Sequence, residues 1–233
     1  MAIAHTAKTS GNSSTDATSY ATASITPGTS ELELVAVVNS KGTTPDTPTI
    51  TGYTQVATVT YASIAAPQRR VTLLRYLNSS PSAGALTIDF AGATQTGCAW
   101  AISDFSGVDT GGSNGANAVV QSATNRNDDA SGNDTLTVKL AAFGDAVNNA
   151  TYGAFSQASN NGFDIGTGFT QIHDTAAATP QTGIFTEFKL SGDTTVDATD
   201  TGASDIAHAG IAIEIKVAPP ASTVKTLAVL GVG

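Results

Sequence analysis

The chain has 233 residues, a formal charge of −9, one cysteine and only 12% charged side chains. That length suits one large all-β domain or two small ones, enough to bury a core without staples, and the lone Cys98 excludes an intramolecular disulfide. Residues 100–233 carry fourteen carboxylates against five basic side chains, whereas residues 1–99 carry five of each, the wrong sign for a nucleic-acid groove.

The chain opens MAIAHTAKTSGNSS, with neither a basic n-region nor an apolar h-region, so no secretory signal is expected and the chain is read as made in a cytoplasm. No run approaches the roughly 18–20 apolar residues of a membrane helix. Sequons at Asn12, Asn78, Asn133 and Asn149 are what a Ser/Thr-rich chain produces by chance. Glu, Lys, Arg and Gln, which clothe helix surfaces, are scarce, so less than about 10% helix is expected.

Glu31–Asn39 begins with alternation and becomes apolar on both faces through Val35–Val38, as a central strand would. Arg70–Leu77 places Val71, Leu73 and Leu77 on one face, and Ala85–Phe90 turns Leu86, Ile88 and Phe90 inward. Cys98–Ile102 is an apolar run in which Trp100 and Ile102 share a face; Trp100 is expected in the core beside Leu34 or Leu73, and Cys98 is read as a buried small hydrophobe. Leu136, Val138 and Leu140 share one face of Asp134–Leu140. Ile184, Phe188 and Leu190 do so in Thr182–Leu190, and Ile211, Ile213 and Ile215 in Ile206–Lys216. Turn clusters at Thr43–Pro48, Asn78–Gly84, Arg126–Asp134 and Ser191–Asp193 separate these runs. About ten to thirteen short strands punctuated in this way predict an all-β, antiparallel two-sheet sandwich, jelly-roll-like, with no internal repeat.

A domain of residues 1–217 is therefore expected, followed by a Pro-containing linker and apolar arm, 218–233. Pro219 and Pro220 break the last strand before Thr223–Gly233 resumes an apolar, strand-like run. Left free it would aggregate; it either pairs at the edge of its own sandwich or lies on a neighbouring subunit, with Val224, Leu227, Val229 and Leu230 as the assembly residues.

Motifs for chemistry are sparse. Gly111-Gly-Ser-Asn-Gly115 spells G-x-S-x-G, but a nucleophile elbow needs a following helix and the next residues are too short and polar for one; Ser113 reads as a loop serine. His5, His173 and His208 lack metal-ligand spacing and are read as satisfied or solvated. Asp128, Asp129 and Asp134, and separately Asp193, Asp197, Asp200 and Asp205, are loop carboxylates of the kind Ca²⁺ uses, without an EF-hand pattern. Glu187 and Glu214 are read as surface charges. Tyr53, Tyr61, Tyr76 and Tyr152 lie in or beside strands. No catalytic, cofactor or metal residue is assigned.

At Trp100-Ala-Ile-Ser-Asp-Phe-Ser-Gly-Val-Asp109 the chain resembles a β-sandwich domain that recurs in phage virion proteins and in some bacterial surface proteins. An early strand like Leu32–Val38, a strand like Val71–Leu77, this acidic-aromatic-Ser-Gly-Val corner and a last strand like Ala209-Gly-Ile-Ala-Ile-Glu-Ile215 occur there in the same order. The resemblance covers about residues 20–217 and carries no catalytic residues. It implies a non-enzymatic accessory protein of a tailed-phage virion that decorates the capsid or builds a fibre or tail part. The partners it implies are other copies of itself and virion proteins such as the major capsid protein, with no cofactor, nucleic acid or membrane. The alternative is a carbohydrate-binding adhesion module for host attachment.

Overall fold

A computed structural model describes residues 2–62, 67–128, 135–202 and 206–220. Among these, the regular elements are β-strands and one short 3₁₀ turn. The first half supplies β1 (Ala4–Ser13), β2 (Ser19–Ile25), β3 (Leu32–Lys41), β4 (Thr54–Tyr61), β5 (Gln68–Tyr76), β6 (Gly84–Asp89) and β7 (Gly97–Ser106). After the turn at Ser113–Gly115 come β8 (Val119–Asn127), β9 (Thr135–Lys139), β10 (Ala150–Gln157) and the two-residue β11 (Phe163–Asp164). The chain continues through β12 (Thr170–Ala178), β13 (Gln181–Lys189), β14 (Thr195–Asp200) and β15 (His208–Ile215).

Two five-stranded antiparallel sheets, β1-β7-β3-β5-β4 and β12-β13-β10-β15-β8, form the sandwich that the alternation predicts. Leu34, Ala36, Val38, Val71, Leu73 and Phe105 meet Tyr152, Ala154, Ile184, Ile211, Ile213 and Ile215 between them. Two small sheets, which the alternation did not announce, cover the outer faces. The β2-β6 ribbon lays Tyr20, Ile25 and Ile88 on Val35, Val37, Leu74 and Trp100 of the first sheet. On the second sheet, β11-β14-β9 lays Phe163, Val196, Leu136 and Val138 on Phe155, Phe185 and Ala212. The molecule is four layers of β-structure.

This layering explains strands that are apolar on both faces. Successive side chains of a strand point to opposite sides, and the positions of β3 from Leu32 to Ser40, like all of β10 and β15, are buried because both sides are covered. It also moves Trp100 from where it was expected. Trp100 is buried and shares its face with Ile102, but it lies directly across from Val37 and packs with Val35 and Leu74 under the β2-β6 ribbon. Leu34 and Leu73 point the other way, into the central layer. Leu190 likewise departs from expectation: Ile184 and Phe188 face the centre, but Leu190 follows the end of β13 and is exposed.

The last described contacts of the chain are an antiparallel bridge between Val108 and Val217 and a 2.8 Å hydrogen bond from Ala218 N–H to the Gly107 carbonyl. The assembly residues Val224, Leu227, Val229 and Leu230 lie outside the described residues, as does the rest of 221–233.

Candidate functional site

An open groove of about 670 Å³ runs beside β8, between Ala116–Val120, the loop that contains Asp145 and Asn149, and Lys216–Pro220. Its floor is tied by one buried carboxylate. Glu214, on β15, accepts hydrogen bonds from Asn149 Nδ2 at 2.6 Å and Gln121 Nε2 at 2.7 Å, one on each oxygen. Gln121 also accepts from the Ala141 N–H at 2.9 Å, and Asn149 Oδ1 accepts from the Val217 N–H at 3.0 Å. The network is a clamp that joins the end of the last strand to the β9–β10 loop. With both oxygens engaged by neutral amides, Glu214 holds the strand end to the loop.

The walls are apolar. Val119, Val120, Val217, Pro219 and Pro220 line the groove, Val120 is half exposed, and Val147 stands exposed on the adjoining loop. Among the described residues β8 is the end strand of its sheet, and one row of its main-chain groups has no strand partner among them. At the far end Lys216 Nζ pairs with Asp109 Oδ2 at 2.9 Å, and this pair with the Gly111 N–H holds the Asp109 carboxyl below its ordinary range. The groove suits an extended peptide with apolar side chains.

Glu187 and Glu214 are not surface charges. They are 0% and 1% exposed. Strand parity does turn Glu187 away from the central core, but β11-β14-β9 covers the face on which it emerges. Glu187 Oε2 accepts from the Gly166 N–H at 2.9 Å while Oε1 has no hydrogen-bond partner among the described residues. Burial, with help from Asp197 and Asp193, pushes its carboxyl up to about 7. In the other half, Glu33 and Asp104 lie directly opposite each other on β3 and β7, both buried. Tyr53 donates to Glu33, and Lys8 Nζ pairs with Asp104 at 2.9 Å. Burial raises the Glu33 carboxyl as well.

Ser113 opens the 3₁₀ turn, exposed, and the chain passes into β8 with no α-helix. The working residue of that pentapeptide is Asn114, held at φ 51°. It accepts from the Leu77 N–H at 2.9 Å and donates to the Gly52 carbonyl at 2.8 Å. Ser113→Ala should shift stability by no more than about 0.5 kcal/mol, whereas Asn114→Ala removes both bonds. Equal denaturation midpoints for the two variants would contradict this.

His5 is half-buried between Phe105 and Phe188 and is lowered to about 4 by burial and by nearby His173. His173 Nε2 lies 3.1 Å from the Ile102 carbonyl, and His208 is buried within β15. The carboxylates expected in loops have separate partners: Asp128 pairs with Arg126, Asp193 with Lys189 and the Thr195 N–H, and Asp200, which ends β14, accepts from the Gly202 N–H. Asp197 lies on β14; Asp129, Asp134 and Asp205 lie outside the described residues. Among the described residues no three His, Cys, Asp or Glu side chains are placed to hold a metal ion. Cys98 is fully buried, and burial raises its thiol.

Tyr61 and Tyr152 are core residues, while the half-buried rings of Tyr53 and Tyr76 stack on each other at 4.9 Å. Sequence reasoning passed over Gln121, and it noted Asn149 only as a sequon; Asn149 is buried with both amide atoms engaged. A lone amide carries no pattern that would have marked it. No family model, curated protein or solved structure matches the chain.

Proposed function

We propose that the protein is a non-enzymatic structural component of a phage particle. It decorates or stabilises the capsid, or forms part of a fibre or tail, through contacts between its own copies and with other virion proteins. The observation that carries this reading is the position of Pro219 and Pro220, which form a wall of the groove beside β8, the end strand of its sheet among the described residues. A strand-like apolar segment, Thr223–Gly233, follows in the sequence. Such a segment from a neighbouring copy can add along an open edge through main-chain hydrogen bonds and place Val224, Leu227, Val229 and Leu230 in apolar surroundings. Burial of about 300 Å² would contribute on the order of 7 kcal/mol before the cost of ordering the arm.

The alternative, a sugar-binding module, would draw on Tyr53 and Tyr76. Their rings cover each other and the Tyr53 hydroxyl is engaged by Glu33, which leaves less free aromatic face for a sugar.

Deleting residues 221–233 should leave the circular dichroism spectrum and the denaturation midpoint of the sandwich unchanged. Self-association, or co-sedimentation with particles that lack the protein, should be lost. A truncated chain that assembles as the full chain does would overturn the proposal.

A further inference from the structure

The two halves of the chain repeat one plan. Numbered within its half, the first runs a strand at the sheet edge, a ribbon strand, three sheet strands, a ribbon strand and a last sheet strand. The sheet order β1-β7-β3-β5-β4 becomes β8-β15-β10-β13-β12 when each strand is replaced by its counterpart in the second half, and the covering pair β2-β6 becomes β9-β14. Only the two-residue β11 is extra.

The match extends to single residues. Place Asp104 of β7, two residues before that strand's end, on Glu214 of β15, one residue before its end. The pairings of β3 and β10 then place Val37 on Phe155, and those of β5 and β13 place Leu74 on Glu187. One strand further out, β4 and β12 each carry an irregularity opposite that position, between Gln55 and Ala57 and between Gln171 and His173. The two irregularities therefore coincide, and the sequences around them are Thr51-Gly-Tyr-Thr-Gln-Val56 and Thr167-Gly-Phe-Thr-Gln-Ile172. The register, followed across four strands, closes on a segment where a sequence repeat survives. This corrects the expectation of no repeat.

Local structure follows. Gly52 and Gly168 have φ of 86° and 79°, a conformation glycine adopts without strain. The next residue donates its N–H three positions back in both, Tyr53 to Ile50 and Phe169 to Gly166. The ring of Tyr53 stacks on Tyr76, and that of Phe169 lies 5.6 Å from Lys189 Nζ; Tyr76 and Lys189 are counterparts. In the outer layers, Trp100 opposite Val37 answers to Gly210 opposite Phe155. One half puts its large ring on the last strand and the other on the third, and a Cβ at Gly210 would lie 2.7 Å from the Phe155 ring.

The halves also face each other symmetrically. β1 lies over β12 and β4 over β8, and exchanging each strand for its counterpart turns the first pair into the second. The Val108–Val217 bridge joins the ends of the two counterpart strands β7 and β15. We infer that this chain is two copies of one seven-stranded module, fused end to end, and that the central core is an isologous interface about a pseudo-twofold axis. The inner face of each module is thus an interaction surface whose fitting partner is a second copy of that module.

Two experiments on the whole sandwich test this. By the same equivalences Thr110 answers to Pro220 and Ala116 to Ala2, so the five residues 111–115 span the counterpart of the gap from Pro220 to Ala2. A permuted chain running Ala116–Pro220, then Gly-Gly-Ser-Asn-Gly, then Ala2–Thr110 should give a monomer with an unchanged β-sheet spectrum and one cooperative unfolding transition. A permutant that stays unfolded or aggregates overturns the inference. The second measurement does not depend on any variant folding: in a crystal structure of the unaltered chain, superposing β1, β3, β4, β5 and β7 on β8, β10, β12, β13 and β15 should require a rotation close to a half-turn. A rotation far from that, or an irregularity in β12 displaced from its counterpart in β4, overturns it.

Discussion

Replacing Trp100 by alanine is expected to destabilise the protein by about 3–5 kcal/mol, the range for truncating a large aromatic in a core that cannot collapse around the gap. The indole is 6% exposed and is enclosed by Val35, Val37, Leu74, Cys98 and Ile102. Across the β1 pairing it lies over Gly11, where an added Cβ would come within 2.7 Å of the ring. These neighbours belong to four paired strands, β1, β3, β5 and β7, whose backbones are fixed by their ladders, so the cavity stays open. Trp100 Nε1 has no hydrogen-bond partner among the described residues, so the loss is one of packing, and Trp100→Phe should recover a large part of it. Urea denaturation followed by circular dichroism measures both. A neutral Trp100→Ala would show that the β2-β6 ribbon does not close over this face.

Glu187→Gln is expected to act in the opposite direction, with an effect that sets in above pH 4.5 and is complete above pH 7. Because the folded carboxyl is raised from 4.5 to about 7 by burial, the folded state holds its proton more tightly than the unfolded chain. Its contribution is fully present below pH 4.5 and is lost as pH rises through 7, a loss of about 3 kcal/mol by linkage. Glutamine keeps an acceptor for the Gly166 N–H and carries no charge. The variant should match the parent at pH 4 and exceed it by about 1–3 kcal/mol at pH 8. Glu33 contributes a slope of the same sign. His5, lowered to about 4, contributes the reverse: stability present above pH 6.5 and lost as pH falls to 4. The difference between variant and parent isolates Glu187 from both. A variant less stable than the parent at pH 8 would mean that the ionised form is the one the site was built to hold.

Strands with one wet or lightly covered face were readable, because alternation survives there: Leu136 and Val138 in β9 and Ile88 in β6 were placed correctly. So was the face of Ile211, Ile213 and Ile215. What period-2 reasoning could not convey was a second cover. The run Val35–Val38 was noted as apolar on both faces, yet nothing in β3 says whether the outer neighbour of Val35 and Val37 is a ribbon of its own chain or another molecule. The same gap made Glu187 look like a surface charge. β10, with small and polar residues among its aromatics, and β1, rich in Thr and Ser, offered no periodicity to read although both are strands. The groove was invisible because its members, among them Val120, Asn149, Glu214 and Lys216, come from three separate stretches. The repeat escaped for another reason: the Thr-Gly-aromatic-Thr-Gln-aliphatic segments are short and far apart, and only the strand register gives their spacing a meaning.

The outward faces of the covering ribbon have a composition that bears on how the molecule meets others. Ser19, Ala21, Ala23 and Ser24 of β2 and Ala85 and Thr87 of β6 are exposed, and the whole chain is only 12% charged. A surface tiled with Ala, Ser and Thr has little rotamer freedom to lose, whereas each Lys or Glu immobilised at a contact forfeits about 1.5–2 kcal/mol of side-chain entropy. Such a face can be pressed against a neighbour at almost no entropic penalty, so even a contact with few strong interactions can be retained.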